Sequence, residues 1–87
     1  MGVTLSDVET LNRLRWKCRR GMLELDLLLL GFVENGLDTL DQDEPPVFER
    51  LLEMSDQVLQ GWLLGDVVPT EKQMVSVIRK IRTAAWH

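Results

Sequence analysis

The stretch CRRGMLELDLLLLGFVENG, residues 18–36, decides the fold. Its apolar residues recur at helical, not alternating, spacing, so it reads as a helix from Met22 to Asn35. Leu25, Leu28, Leu29, Phe32 and Val33 cover one broad side of that helix. Leu23, Leu27 and Leu30 cover much of the other. A helix apolar on both sides is either central in its domain or covered by a partner. Gly21 precedes it and Asn35-Gly36 is its stop signal.

Working outward, the neighbouring segments are helical too. Helix one is expected over about Asp7 to Arg19. Ser6 is its N-cap, and Glu9 three residues on completes a capping box. Leu11, Leu14 and Cys18 form its inner stripe. Arg13, Lys17 and Arg20 fall on another face, with Trp16 at its edge. Gly21 is placed to end it as the residue after the cap. Beyond Gly36 comes an acidic loop, LDTLDQDEP, read as solvated and without calcium-loop spacing. Pro46 suits the first turn of helix three, which carries Val47, Phe48, Leu51 and Leu52. Ser55 or Asp56 caps helix four, with Val58, Leu59, Trp62 and Leu63. Thr70 and Gln73 form a capping box for helix five, lined by Met74, Ile78 and Ile81. Arg79, Lys80 and Arg82 suit its negative C-terminal end. The expectation is an all-α protein, a small compact bundle of about five short helices in a single domain over residues 1–87.

Composition bounds what such a bundle does. The chain has 87 residues, 45% of them apolar, which leaves room for one core and no second domain. Cys18 is the sole cysteine and His87 the sole histidine, so an internal disulfide and a Cys/His zinc site are both excluded. The N-terminus lacks a basic head followed by an apolar run, so no signal peptide is read and a cytoplasmic location is expected. Leu27 to Val33, the longest apolar block, is too short to span a bilayer. The opening MGVTLS fits the loose N-myristoylation pattern, which is common by chance.

The net charge of −4 is unevenly spread. Residues 13–20, RLRWKCRR, carry +5 and leave −9 on the remainder. A basic patch on an acidic body suits an anionic partner surface and disfavours general nucleic-acid binding. A helix-turn-helix DNA reader would need exposed polar residues on its recognition helix, and helix two is apolar. Catalysis finds little support. Glu24 and Asp26 diverge by about 160° around a helix. The serines have no internal histidine to activate them, and the glycines are too scattered for a phosphate loop.

Two readings of CRRG stand side by side. Arg19 and Arg20 are solvated cations complementing a helix end that Gly21 closes. Alternatively, they belong to a surface that holds a partner. Glu24 lies four residues after Arg20, a weak order for stabilising a helix, and Gly21 can set the two side by side on an exposed corner. Trp16 beside arginine is typical of a binding hot spot, and it serves equally well as core.

RWKCRRGMLELD closely resembles the signature of the small flavinylation factors of succinate dehydrogenase and fumarate reductase, the SdhE family, also called CptB or YgfY. The family hallmark Arg-Gly-x-x-Glu is matched by Arg20, Gly21 and Glu24. FVENGLDTLDQDEPPVFERLLEMSDQVLQGWLLG resembles the rest of that family, so the likeness covers about residues 10 to 80. Where the family has Asp-Pro in the turn before the tryptophan helix, this chain reads SDQVL. The resemblance implies an assembly chaperone, not an enzyme, that binds the flavoprotein subunit and promotes covalent attachment of FAD to one of its histidines. It implies partner-binding roles for Trp16, Arg19, Arg20, Gly21, Met22, Glu24 and Asp26. FAD would be the client's cofactor, with none bound stably here, since no dinucleotide cradle is present. A second implied reading is an antitoxin-type protein that binds a small membrane-associated toxin.

Overall fold

The computed structural model describes residues 8–84. The expected Ser6 cap, the N-terminal acylation pattern and His87 lie outside them. Five α-helices follow in order: α1 (Val8–Cys18), α2 (Leu23–Asn35), α3 (Pro45–Leu52), α4 (Asp56–Leu63) and α5 (Lys72–Ala84). A short 3-10 turn, Leu37–Thr39, follows α2. Among the described residues there is no strand.

The central element is α2, which packs on α1, α4 and α5. It buries Leu25, Leu29, Phe32 and Val33. These meet Leu14 and Cys18 from α1, Val47, Phe48, Leu51 and Leu52 from α3, Leu59 and Leu63 from α4, and Met74, Val77, Ile78 and Ile81 from α5. Phe32 and Phe48 pack with ring centroids 5.2 Å apart and planes tilted by 58°, an arrangement aromatic quadrupoles favour over face-to-face stacking. The other side of α2 is covered only at Leu30, which is half-buried against the core. Leu23 is 73% exposed and Leu27 63%. The doubly apolar helix is thus central on one side and open on the other.

Local chemistry sets each boundary. Ser55, of the two candidates, caps α4, its Oγ accepting from the Val58 N–H at 3.3 Å. Pro45 and Pro46 occupy the first two positions of α3, where a missing N–H leaves no helical bond unmade. Gly36 stops α2 for a reason other than backbone handedness, for its φ is −120°. A Cβ there would stand 2.5 Å from Phe32 Cδ1. The glycine exists so that the Phe32 ring can lie against the backbone.

Two sequence expectations fail here. Gln73 does not reach back to form a capping box. Its amide donates instead to Asp43 at 2.6 Å. Nor is the acidic loop wholly solvated. Glu44 is only 3% exposed, accepts from the Asp41 N–H at 2.8 Å and pairs with Lys80. Alternating charge had no way to reveal that one acid of the run folds inward to meet a cation 36 residues on. Burial pushes the Glu44 carboxyl up, but hydrogen bonds from Lys80, Asp41 and Ser76 outweigh it and hold the carboxyl below its ordinary range.

Gly36→Ala should lower the melting temperature, because overpacking a core typically costs about 1–3 kcal/mol and each kcal/mol is worth about 4–8 °C in a domain this small. Calorimetry showing an unchanged Tm would contradict the close-approach account. Glu44 makes a second prediction. Its folded pKa lies below its unfolded one, so its stabilisation is complete above the ordinary carboxylate range and is lost as pH falls through the lowered folded value. Melts between pH 7 and 3 should show a smaller acid-induced drop in Glu44→Gln than in the parent chain. Equal drops would mean that other carboxylates carry the effect.

Candidate functional site

Of the residues the sequence singled out, Arg19, Arg20, Gly21 and Met22 form the turn between α1 and α2, Trp16 stands in the last turn of α1, and Glu24 and Asp26 stand in the first turn of α2. Helix α1 ends at Cys18, one residue earlier than expected, and Gly21 adopts φ +79°. That is left-handed backbone, which glycine enters without the steric penalty a Cβ brings. The Arg19 N–H donates to the Trp16 carbonyl of α1 at 3.1 Å, and the next two N–H groups of the turn are taken by a side chain. Asp26, in the first turns of α2, accepts from the Arg20 N–H at 2.8 Å and the Gly21 N–H at 3.3 Å. Asp26 is therefore half-buried and turned into the turn it stabilises.

Arg20 departs most from expectation. It does not sit beside Glu24 on an exposed corner. Its side chain is 13% exposed and ion-pairs with Asp56 at 3.1 Å. Its Nη1 also donates to the Met54 carbonyl at 2.7 Å, its Nε to the Lys17 carbonyl at 3.1 Å, and its Nη2 to the Leu52 carbonyl. The carbonyls at the end of a helix lack intrahelical partners, and this guanidinium supplies donors to those that follow α3.

The basic run is likewise mostly neutralised within the chain. Arg13 pairs with Glu49 at 2.8 Å, Arg15 with Glu34 at 2.7 Å and Lys17 with Glu53 at 2.9 Å. Hydrogen bonding from Arg15 holds the Glu34 carboxyl below its ordinary range. Arg19 alone of the five cations is exposed and without an ionic partner among the described residues. The sequence showed where the positive charges lay but not which acids would fold against them.

What remains outward is chiefly apolar. Trp16 is 75% exposed, which decides between its two readings. Arg15 reaches Glu34, and Glu34 shares the α2 stripe of Leu23, Leu27 and Leu30 by helical spacing. Trp16, in the last turn of α1, and Arg19, just beyond it, are both exposed. Glu24 is exposed on the same first turn as Leu23. Met22 is half-buried and packs on the core. A shallow groove lined by Met22, Leu23, Glu24, Leu25, Gln60 and Leu64 extends this surface onto α4.

The chemistry available at the site is that of holding. Burial pushes the Cys18 thiol up to about 12 against the opposing charge of Arg20, with Asp26 adding to the rise. It supplies no thiolate at neutral pH. Among the described residues no group of His, Cys, Asp and Glu is placed to hold a metal, and no helix is long and apolar enough to cross a membrane.

Comparison with known proteins gives the family of the chain. The family described as Flavinator of succinate dehydrogenase matches residues 12–85. The chain belongs to that flavinator family. It is 47% identical over 70 residues to the FAD assembly factor SdhE of Coxiella burnetii (strain RSA 493 / Nine Mile phase I), covering 80% of this chain and 85% of the relative. It is 46% identical over 71 residues to the FAD assembly factor SdhE of Legionella pneumophila (strain Paris), covering 82% and 89%. It is 42% identical over 76 residues to the protein of that name from Serratia sp. (strain ATCC 39006), covering 84% and 86%. The flavinator match spans all five helices except the first residues of α1.

Proposed function

We propose that this chain is an assembly chaperone that binds the flavoprotein subunit of succinate dehydrogenase or fumarate reductase and promotes covalent attachment of FAD to it. One observation carries the reading: Trp16 at the end of α1 and Leu23 and Leu27 on α2 are each more than 60% exposed, on the two sides of a left-handed glycine turn. Monomeric proteins seldom leave large contiguous apolar surface in water, and such patches with polar rims mark interaction sites. Here Arg19 and Glu24 stand at the rim.

The mechanism is differential binding. A partner that prefers one conformation of its client shifts the client's population toward it by its difference in affinity. The factor holds the flavoprotein subunit in the state where the bound flavin and its acceptor side chain meet. The bond-forming chemistry stays with the flavin and the client. Docking is apolar at its centre and flanked by one cation and one anion, so its affinity depends only weakly on salt.

Gly21 separates docking from folding. No heavy atom lies within 4 Å of a Cβ built at this position, so a side chain would meet open space. The backbone strain alone costs about 1–2 kcal/mol. Gly21→Arg should remain helical, with a modestly lowered Tm, yet fail to support flavinylation because its side chain rises into the docking face. Leu27→Asp should barely move Tm, as exposed substitutions usually stay within about 0.5 kcal/mol. It should weaken client binding by roughly 30-fold, the loss of a hot-spot contact of about 2 kcal/mol. In-gel flavin fluorescence of the client subunit, read beside thermal melts, tests both. Full flavinylation with folded Gly21→Arg and Leu27→Asp would sink the proposal.

A further inference from the structure

The arginine of the Arg-Gly-x-x-Glu motif has little left to offer a partner. A guanidinium carries five N–H donors in a rigid fork. In Arg20 four bonds run to the chain itself: to Lys17, Leu52 and Met54 carbonyls and to the Asp56 carboxylate. One Nη2 N–H is left over, so a client carboxylate could take Arg20 as a two-pronged fork only by displacing bonds that satisfy otherwise orphaned carbonyls, and leaving a buried acceptor unmade is more costly than an average hydrogen bond is worth.

The partner of Arg20 on α4 is placed to matter for docking. Asp56, Gln60 and Leu64 recur at intervals of four, on one face of α4. Gln60 and Leu64 form one wall of the groove whose other wall is Met22 to Leu25. Asp56 lies one turn earlier on that face and grips Arg20. The backbone N–H groups of Arg20 and Gly21 are in turn held by Asp26 of α2. A chain of bonds thus runs from α4 through Arg20 and the glycine turn to the start of α2. It ties both walls of the groove to the glycine turn from which the first exposed turn of α2 begins.

Resting on the docking role proposed above, we propose that Asp56 is a positioning residue for the flavoprotein-binding face, and that Arg20 acts with it by fixing the Gly21 turn while Arg19 is the cation that faces the client. Arg20 then works through geometry, so its charge alone is insufficient. Lysine presents its donors from a single nitrogen and cannot span oxygens arranged for a fork.

The test compares Asp56→Asn, Arg20→Lys, Arg20→Gln and the double variant Asp56→Asn/Arg20→Lys. Glu49→Gln serves as control, breaking an α1–α3 ion pair away from the turn. Affinity for the purified flavoprotein subunit of succinate dehydrogenase is measured well below every variant's melting point. Amide exchange at Arg20 and Gly21 is measured on the free chain. Asp56→Asn should bind about three- to tenfold more weakly, in line with a charge-assisted hydrogen bond becoming a neutral one. Arg20→Lys should be as impaired as Arg20→Gln, and the double variant no weaker than Arg20→Lys, since bonds in one network do not add. Exchange at Arg20 and Gly21 should quicken in Asp56→Asn and stay unchanged in Glu49→Gln, a local signature that general destabilisation does not produce. Parental affinity in Asp56→Asn, or in Arg20→Lys but not Arg20→Gln, would overturn the inference while leaving the docking role intact. Absence of binding by the parent chain would overturn both.

Discussion

The Arg20 guanidinium is the knot of this bundle. It lies where the end of α1, the end of α3 and the start of α4 converge, and it bonds to all three. Without it the Leu52 and Met54 carbonyls would lose donors in a half-buried place. Each such loss costs about 1–3 kcal/mol, a large part of the about 5–15 kcal/mol that a whole domain holds. Everything outward follows from that knot. With Arg20 fixed and Asp26 closing the turn, Gly21 takes its left-handed φ and α2 begins where Leu23 and Leu27 face solvent.

Charge and shape divide the labour differently from what a basic run implies. Four of the five cations between Arg13 and Arg20 tie α1 to α2, α3 and α4. Their main effect is to orient helices, for exposed pairs are individually worth little. The surface left for a partner is apolar, with Arg19 and Glu24 beside it. Under the proposed function, a factor of this build selects its client by fit and contributes a held conformation to the flavin chemistry.

Much of this was legible in the sequence. The periodicity of residues 22–35 marks a helix apolar on both sides, and glycine at 21 marks the turn, because both are local properties of the chain. The family likeness rested on local motifs as well. What the sequence concealed is tertiary pairing. Arg20 meets Asp56 across 36 residues, and Glu44 meets Lys80 across the same separation. Nothing in the spacing of either pair announces it. Capping is a local rule and points Gln73 to its own helix end, whereas the loop carboxylate of Asp43 takes its amide. Trp16 was undecided because an amphipathic ring suits core and interface alike, and only burial distinguishes them.

The central claim is that the open side of α2, next to the glycine turn, is where the flavoprotein subunit docks. The methyl spectrum of the leucine- and valine-labelled chain, recorded as unlabelled flavoprotein subunit is added, addresses it directly. Two exposed apolar surfaces compete, Leu23 and Leu27 on α2 and Val67 and Val68 before α5. The expected result is that the Leu23 and Leu27 methyls shift or broaden while those of Val67 and Val68 keep their free positions. Perturbation of Val67 and Val68 with Leu23 and Leu27 unmoved would contradict the assignment of the docking face.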